Sequence, residues 1–290
     1  MRTPSLKKVD SGIGGLFEVL RVSDSYFYPL WHYHPQYEII LIKKGIGDCY
    51  IGDNIRPFNE GEIFLLGPDI PHIFRNSPEY FIKGSRKKAE ATVLYFNYKL
   101  VRSELFNLNE FINIRELLQQ SKRGLIIKGI YKKPVAHLLN KVVDNDGINQ
   151  ILEFISMLHF IATKVKYDPI SSIGFTSSIN EEGVPRLNKV FDYLLNNFSR
   201  TITLKEVADI SNMSPSAFCR YFKKITNKTL ITYLNEIRVG HACKLIIGNR
   251  NKNISQICNE SGFNNLTNFY IQFRNFKNLS PSEFKQKYNF

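Results

Sequence analysis

The chain has 290 residues, 43% hydrophobic and 22% charged, a composition that suits a soluble globular protein with room for two domain cores. No apolar run reaches the roughly 18–20 residues that a membrane helix needs, and the opening MRTPSLKKVD lacks the apolar core of a secretory signal, so no membrane partner is expected. Net charge is +13, and residues 185–290 carry 16 Lys/Arg against 6 Asp/Glu, so the basic excess belongs to the C-terminal third and points to a polyanionic partner there.

The cysteines (Cys49, Cys219, Cys243, Cys258) are scattered without a CxxC pair. Neither a disulfide framework nor a thiolate zinc site is indicated, which suits a reducing cytoplasm.

Residues 1–100 read as β. "YEIILIKKG", "GDCYIGDNIRPFN", "GEIFLLGPDIPHIF" and "ATVLYFNY" are short β-branched and aromatic runs separated by Gly, Asp, Asn and Pro. Their spacing of about ten residues suits a sandwich or small barrel. Ahead of them stands "WHYHPQYE", residues 31–38. Residues an even step apart share one face of a strand, so His32, His34 and Glu38 have common parity. His72 is a fourth candidate.

From 101 to 166 the texture becomes helical. In "GINQILEFISMLHFIATKV" the residues Ile148, Ile151, Leu152, Ile155, Leu158 and Ala162 form a stripe at three- and four-residue steps, expected to pack in a core or against a second copy of the chain. Residues 167–184, "YDPISSIGFTSSINEEGV", read as a linker.

Residues 185–290 read as helix throughout, and here the sequence nearly repeats. "LKEVADISNMSPSAFCRYFKK" (204–224) aligns with "ISQICNESGFNNLTNFYIQFRN" (254–275), with one extra residue in the second turn. Small Ala208 and Cys258 let two helices cross closely, and Asn212 and Gly262 stand where the turn favours a left-handed backbone. Ser214 and Asn264 are the expected caps of the second helices. Phe218/Phe222 and Phe269/Phe273 form the buried stripes. Each unit is then a helix-turn-helix. The opposite faces carry Ser216, Cys219, Arg220 and Lys224, and Leu266, Thr267, Asn268, Tyr270 and Ile271, free to enter a DNA major groove.

These motifs, with the joining "IRVGHACKLI" and the closing "ISQICNESGFNNLTNFYIQFRNFKNLSPSEFK", resemble the DNA-binding domain of the AraC/XylS family of bacterial transcription regulators. The resemblance implies two recognition helices in successive major grooves of double-stranded DNA. Ser216, Cys219 and Arg220 then face the groove from the first helix, and Thr267, Asn268 and Ile271 from the second. Lys223, Lys224, Arg274 and Lys277 meet phosphates. The family resemblance also implies contact with RNA polymerase and makes a homodimer a candidate state.

The N-terminal stretches resemble the paired motifs of the cupin (jelly-roll) barrel: HxH, Glu38 and Gly45, then Gly61 leading to Pro71, His72 and Asn76. In metal-binding cupins the positions of His32, His34, Glu38 and His72 hold a divalent ion. Gly67 stands where that motif usually has proline, and Asp69 where it has glycine. In sensor domains of the regulator family, such a barrel takes an organic effector. Trp31, His32, His34, Tyr37, Glu38 and His72 are the candidate lining, with Trp31, Tyr33 and Tyr37 as stacking surfaces. Three readings stay open: an organic-effector pocket, a sugar among its occupants; a metal-containing pocket; and a packed remnant.

The fold expected is thus an all-β cupin barrel followed by helices, then an all-α domain with two helix-turn-helix units. The function expected is a DNA-binding regulator responding to a small-molecule effector, without catalytic residues. The alternative is a metal-dependent cupin enzyme, of dioxygenase or isomerase type, carrying a DNA-binding tail. No general base or nucleophile stands at recognisable spacing to support it.

Overall fold

The computed structural model of the chain describes residues 15–27, 32–82, 84–172, 183–248 and 252–288. The chain divides into two compact units whose boundary falls between Ser177 and Ser178.

The first unit is a two-sheet barrel backed by helices. Its strands are β1 (Phe17–Asp24), β2 (Tyr37–Lys44), β3 (Gly47–Ile51), β4 (Asn54–Phe58), β5 (Ile63–Leu66), β6 (His72–Asn76), β7 (Ala89–Phe96), β8 (Leu125–Ile127) and β9 (Tyr167–Pro169). One sheet runs β1-β7-β2-β5-β8-β9 and the other β4-β3-β6. Short helices α1 (Tyr98–Val101) and α2 (Glu104–Asn107) lead to α3 (Ile112–Gln120), α4 (Lys132–Asp144) and α5 (Gly147–Lys164).

The larger sheet is buried on both faces, which explains why β2 and β5 read as continuous apolar runs instead of alternating ones. Ile40, Ile42, Phe64, Leu66, Val93 and Tyr95 face the second sheet and meet Cys49, Ile51, Phe58 and Phe74. Ile39, Leu41, Ile63, Leu65, Leu94 and Phe96 face the helices and meet Leu117, Leu139, Phe154 and Met157.

Three expectations change in this unit. The span 101–166 is not purely helical, because β8 lies inside it and pairs with β5. The segment 167–184 is not wholly a linker: Tyr167–Pro169 pairs with β8, and the Ser172 hydroxyl donates to Asp53 Oδ2. Residues 173–182 of that segment lie outside the described residues. The α5 stripe is also displaced, since Phe154, Met157, Leu158 and Ile161 are the buried positions. Ile148 and Leu152 are 67% and 56% exposed. Three large residues outside the sequence stripe, Phe154, Met157 and Ile161, take the inner face beside Leu158.

The second unit contains α6 (Gly183–Asn197), α7 (Leu204–Ile210), α8 (Pro215–Thr226), α9 (Leu230–Gly248), α10 (Ile254–Glu260), α11 (Leu266–Lys277) and α12 (Pro281–Tyr288). The repeat is visible down to its caps. Thr203 and Glu206 close a capping box on α7, and Asn253 and Gln256 close the matching one on α10. Ser214 caps α8 by accepting from the Ala217 N–H. On α11 the cap is Asn265, not the expected Asn264; the extra residue in that turn moves the helix start by one. Asn212 and Gly262 have φ of 52° and 82°, as the turn requires.

Helix α9 joins the two halves and serves both. Leu230, Tyr233, Leu234 and Ile237 are buried along its first part, where Tyr233 meets Phe222 at 5.4 Å and Phe191 at 5.1 Å. Val239, Ala242, Cys243 and Ile246 join the second core with Ile257, Cys258, Phe269 and Phe273. Between them Arg238 donates to Phe198 O and Arg200 O, both at 2.8 Å, and lies over the Phe263 ring.

A methyl group on Gly262 would lie 2.4 Å from Phe198 O, in a conformation that L residues rarely adopt, whereas one on Gly240, inside α9, would meet nothing within 4 Å. Gly262→Ala is therefore expected to destabilise the second unit by about 1–3 kcal/mol. Gly240→Ala should stabilise it by about 0.5–1 kcal/mol. Urea unfolding of the two variants beside the parent checks both signs.

Candidate effector pocket and nucleic-acid interface

On the second helix of each repeat, burial separates two faces. Phe218, Phe222, Phe269 and Phe273 are fully buried. Ser216, Cys219, Arg220, Lys223 and Lys224 are exposed on α8, and Thr267, Asn268, Ile271 and Arg274 on α11, while Lys277 is half-buried. The structure thus leaves these residues open on both helices, but Tyr270, expected beside them, is half-buried against the core with its hydroxyl 3.0 Å from Ser282 Oγ. Among the described residues no protein partner engages the side chains of Arg220 or Lys223. On α11 the open face is unusually apolar, with Leu266 at 45% and Ile271 at 53% exposure. Gln272 reaches Asn268 one turn earlier at 3.4 Å. Such a face offers methyl contacts and amide groups, the pairing that suits thymine and adenine edges.

In the barrel, β2 carries Glu38 inward while Tyr37 points to the opposite face. Tyr37 stacks on Phe96 at 4.9 Å and joins the helix-backed core, so it is not part of the barrel interior. Parity decides this: neighbours in a strand face opposite ways. Trp31 lies outside the described residues, and Tyr33 is half-buried.

The other four candidates meet. The backbones of His32 and His72 exchange two hydrogen bonds, 3.1 and 2.9 Å, which hold their rings 4.3 Å apart. His34 Nε2 is 3.1 Å and His72 Nε2 3.0 Å from the same oxygen, Glu38 Oε2. One nitrogen from each of His32, His34 and His72 fits within a 4.8 Å cluster. The Tyr95 hydroxyl bonds to Glu38, a partner that sequence reading missed although "ATVLYFNY" places Tyr95 at the end of an expected strand. In register, Tyr95 stands directly beside Glu38.

His34, Glu38 and His72 are each no more than 3% exposed. Burial pushes the Glu38 carboxyl upward, but the charge of His72 and hydrogen bonds from His34 and His72 pull it well below the ordinary carboxylate range. Burial, reinforced by Glu38, raises the Tyr95 phenol, so it stays a donor.

The far sides of the rings fix their tautomers. His34 Nδ1 lies 3.1 Å from Gln36 O, and His72 Nδ1 2.9 Å from Ile70 O. A carbonyl only accepts, so each Nδ1 holds a proton. Both Nε2 atoms then approach one carboxylate oxygen, Glu38 Oε2, from two sides. His72 Nε2 is buried, with Glu38 Oε2 at 3.0 Å as its short contact. Imidazole nitrogens whose far sides are held by backbone carbonyls, with a carboxylate about 3 Å away, match the donors of a divalent metal site. The residues fit such an ion.

The two departures from the cupin motif also find physical reasons. Gly67 has no room for a side chain, because a Cβ would come within 2.7 Å of the Lys122 backbone. Asp69 keeps the left-handed backbone expected of glycine, with φ of 58°.

A cavity of about 580 Å³ opens beside this cluster, reached by His32, Glu38, His72 and Tyr95 at one end. Its walls include Leu20, Val22, Ile40, Ile42, Ala91 and Val93.

Known families match both units. Residues 17–120 match the AraC-like ligand binding domain family, and residues 207–287 a helix-turn-helix domain family. The chain belongs to the AraC family of transcription regulators. It is 22% identical over 280 residues to the HTH-type transcriptional regulator YdeC of Bacillus subtilis (strain 168), covering 90% of this chain and 87% of that one. It is 23% identical over 254 residues to the lactose operon transcription activator of Staphylococcus xylosus, covering 86% and 83%. The solved structure of ToxT from Vibrio cholerae O395 aligns over 94% of this chain and 98% of its own, at 15% identity and a TM-score of 0.37. This AraC-type regulator therefore joins a ligand-binding β unit to a DNA-binding helical unit. Among its described residues, no helix is long and apolar enough to cross a membrane.

Open Arg220 and Lys223 on one helix allow base reading and phosphate contact to be separated. Arg220→Ala is expected to relax preference by about 1–3 kcal/mol at one base pair. Lys223→Ala should weaken all sequences alike and reduce the salt slope by about 1. Titration of both variants over a library of mutated sites checks the contrast.

Proposed function

We propose that this AraC-type regulator reports on a small molecule bound in the barrel of its first unit, and that a divalent metal held by His32, His34, His72 and Glu38 forms one end of that pocket. The observation that carries the proposal is the convergence of the His34 and His72 Nε2 atoms on Glu38 Oε2 beside an open cavity. A packed remnant would have no reason to keep His34, Glu38 and His72 buried beside an accessible space, because an unpaired buried charge is strongly destabilising.

The ion, when bound, supplies a Lewis-acid contact for an oxygen or nitrogen donor of the effector. Every other role belongs to the chain. His34 and His72 are oriented by their Nδ1–H bonds to Gln36 O and Ile70 O, and Tyr95 donates to Glu38. Sensing, not turnover, is the use proposed for this site, in keeping with relatives that are transcription regulators. The barrel supports it with apolar walls beside the histidine cluster.

Signalling then requires that the effector bind two states of the regulator with different affinity. Double-stranded DNA is the partner of the second unit. Contact with RNA polymerase and pairing with a second copy rest on family resemblance. The exposed Ile148 and Leu152 on α5 add an apolar face to the case for pairing. A cytoplasmic location is proposed on the same ground as the DNA partner.

Untagged protein from gel filtration is expected to carry close to one equivalent of divalent metal. A folded His32→Ala/His34→Ala double variant should carry essentially none. Elemental analysis reads both, and a metal-free folded parent would remove the ion from the proposal. DNA binding by the parent should weaken with salt, with a log–log slope of about −0.9 per phosphate neutralised. A salt-insensitive interaction would remove the phosphate contacts assigned to α8 and α11.

A further inference from the structure

A second cavity of the first unit, about 620 Å³ in volume, opens where the turn between β5 and β6 meets α1 and α3. Tyr37 reaches it from the helix-facing side of β2, opposite to Glu38, and the two cavities share no lining residue.

Charge sets this cavity apart. Arg102, Arg115 and Lys122 line it, and Asp69 is its one carboxylate, which leaves a local excess of two positive charges. Residues 1–184 as a whole are nearly balanced, with 23 Lys/Arg against 20 Asp/Glu. Asp69 forms no ion pair with any of the three cations among the described residues. Arg115 spends Nη1 on the carbonyls of Phe106 and Leu108, at 2.6 and 2.7 Å, which leaves its Nε and Nη2 without a protein partner. Those two bonds hold the guanidinium in place, so little ordering cost remains for a ligand to meet. The side chains of Lys122 and Gln119 also have no protein partner, and the charge of Arg102 acts on the Tyr37 hydroxyl. Between these groups the wall is proline and aliphatic: Pro35, Pro68, Val101 and Leu118. Like charges gathered without a counter-charge repel one another, and a bound anion removes that cost.

We propose that this cavity is a second ligand site, for a small organic dianion: a phosphate monoester or a dicarboxylate whose charge meets Arg102, Arg115 and Lys122 and whose carbon body lies against Pro68, Val101 and Leu118. Two negative charges match the local excess. Guanidinium groups suit the paired oxygens of carboxylate and phosphate. The volume exceeds what an inorganic ion fills and falls in the range of small-molecule pockets. The site stands independently of any effector or metal in the barrel, although its wall is tied to the histidine cluster. Gly67 N donates to Ser121 O at 2.7 Å and Asp69 N to His34 O at 2.9 Å. A ligand joining α3 to this turn would brace a wall that both sites share.

The test titrates the full-length protein with glycerol 3-phosphate and glucose 6-phosphate, then with succinate and glutarate. Inorganic phosphate, acetate, glycerol and glucose run beside them. Calorimetry reads affinity and stoichiometry, and the thermal midpoint should rise with ligand. The second unit is basic and its open helix faces compete for anions, so two variants separate the locations. Arg102→Gln/Lys122→Gln removes two cations of the cavity, and Arg220→Ala/Lys223→Ala removes two of the DNA face. The expected result is one organic dianion bound per chain, weakened about tenfold or more by the first variant and unchanged by the second. If the first variant does not fold, Lys122→Gln alone, at an exposed residue without a partner, should weaken binding about threefold or more. Whichever series binds more tightly identifies the head group.

Absence of saturable binding by both series overturns the site. So does an affinity that only Arg220→Ala/Lys223→Ala reduces, which places the anion on the DNA face. A dianion held by metal in the barrel would ignore Arg102→Gln/Lys122→Gln, and that indifference overturns the site as well. Glycerol and glucose binding as tightly as their phosphates, or inorganic phosphate binding as tightly as the esters, defeats the assignment to an organic dianion.

Discussion

Burying the Glu38 carboxylate in a barrel otherwise filled with Ile, Leu, Val and Phe costs several kcal/mol unless partners meet it. The sensor unit is arranged around meeting that need. His34 arrives from the segment before β2, His72 from the start of β6, and Tyr95 from β7, so the carboxylate ties together three separate parts of the fold. The His32–His72 backbone bridge then joins the N-terminal segment to the smaller sheet at the same place. Because the partners are themselves braced by carbonyls, they keep their orientation toward the carboxylate. The metal proposed above would be held by these same groups. Stability and binding use one set of atoms.

The same strand provides the apolar half of the pocket. Glu38, Ile40 and Ile42 point inward while Tyr37, Ile39 and Leu41 point to the helices, so β2 is shared between cavity wall and hydrophobic core. Any change of register on β2 would exchange the two sets and place Tyr37 where the carboxylate belongs. The double burial that makes β2 so apolar also makes the register hard to shift. It gives a physical route by which a pocket could influence α3 to α5, which pack on the other side of the same sheet.

Legibility in the sequence followed the strength of local periodicity. The helix-turn-helix repeat could be read residue by residue, because each unit needs a small residue at the crossing, a left-handed turn and a pair of phenylalanines four apart. It slipped at Asn264 for Asn265, because of the inserted turn residue, and at Tyr270, which packs against the core beside Ser282 and does not stand on the open face. Strands β8 and β9 were hidden because three residues each are too few to show a period; β8 exists through pairing with distant β5, and β9 through pairing with β8. The histidine cluster was visible as a spacing, whereas Tyr37 was misplaced in the pocket because aromatic chemistry was given more weight than parity. Tyr95 was missed for the complementary reason: only the strand register puts it beside Glu38. Local sequence carries the face a residue occupies; it does not carry which distant strand lies opposite.

The two units also differ in how they leave surface free. In the second unit the cores absorb every phenylalanine of the repeated stripes, so the open faces of α8 and α11 are set by what the cores do not need. That separation lets the two helices diverge, one ending in Arg220, Lys223 and Lys224, the other in Leu266, Asn268 and Ile271, without disturbing a shared scaffold. Helix α9 makes this tolerable, since it is buried along both halves and Arg238 clamps the junction. The basic helix can supply affinity through phosphates while the apolar helix discriminates by methyl contact, and neither requirement constrains the other. In the first unit no such separation exists, because the wall of the cavity and the face of the core are alternate residues of the same strands. Substitutions that retune DNA preference should therefore be far easier to accommodate than substitutions that retune the ligand.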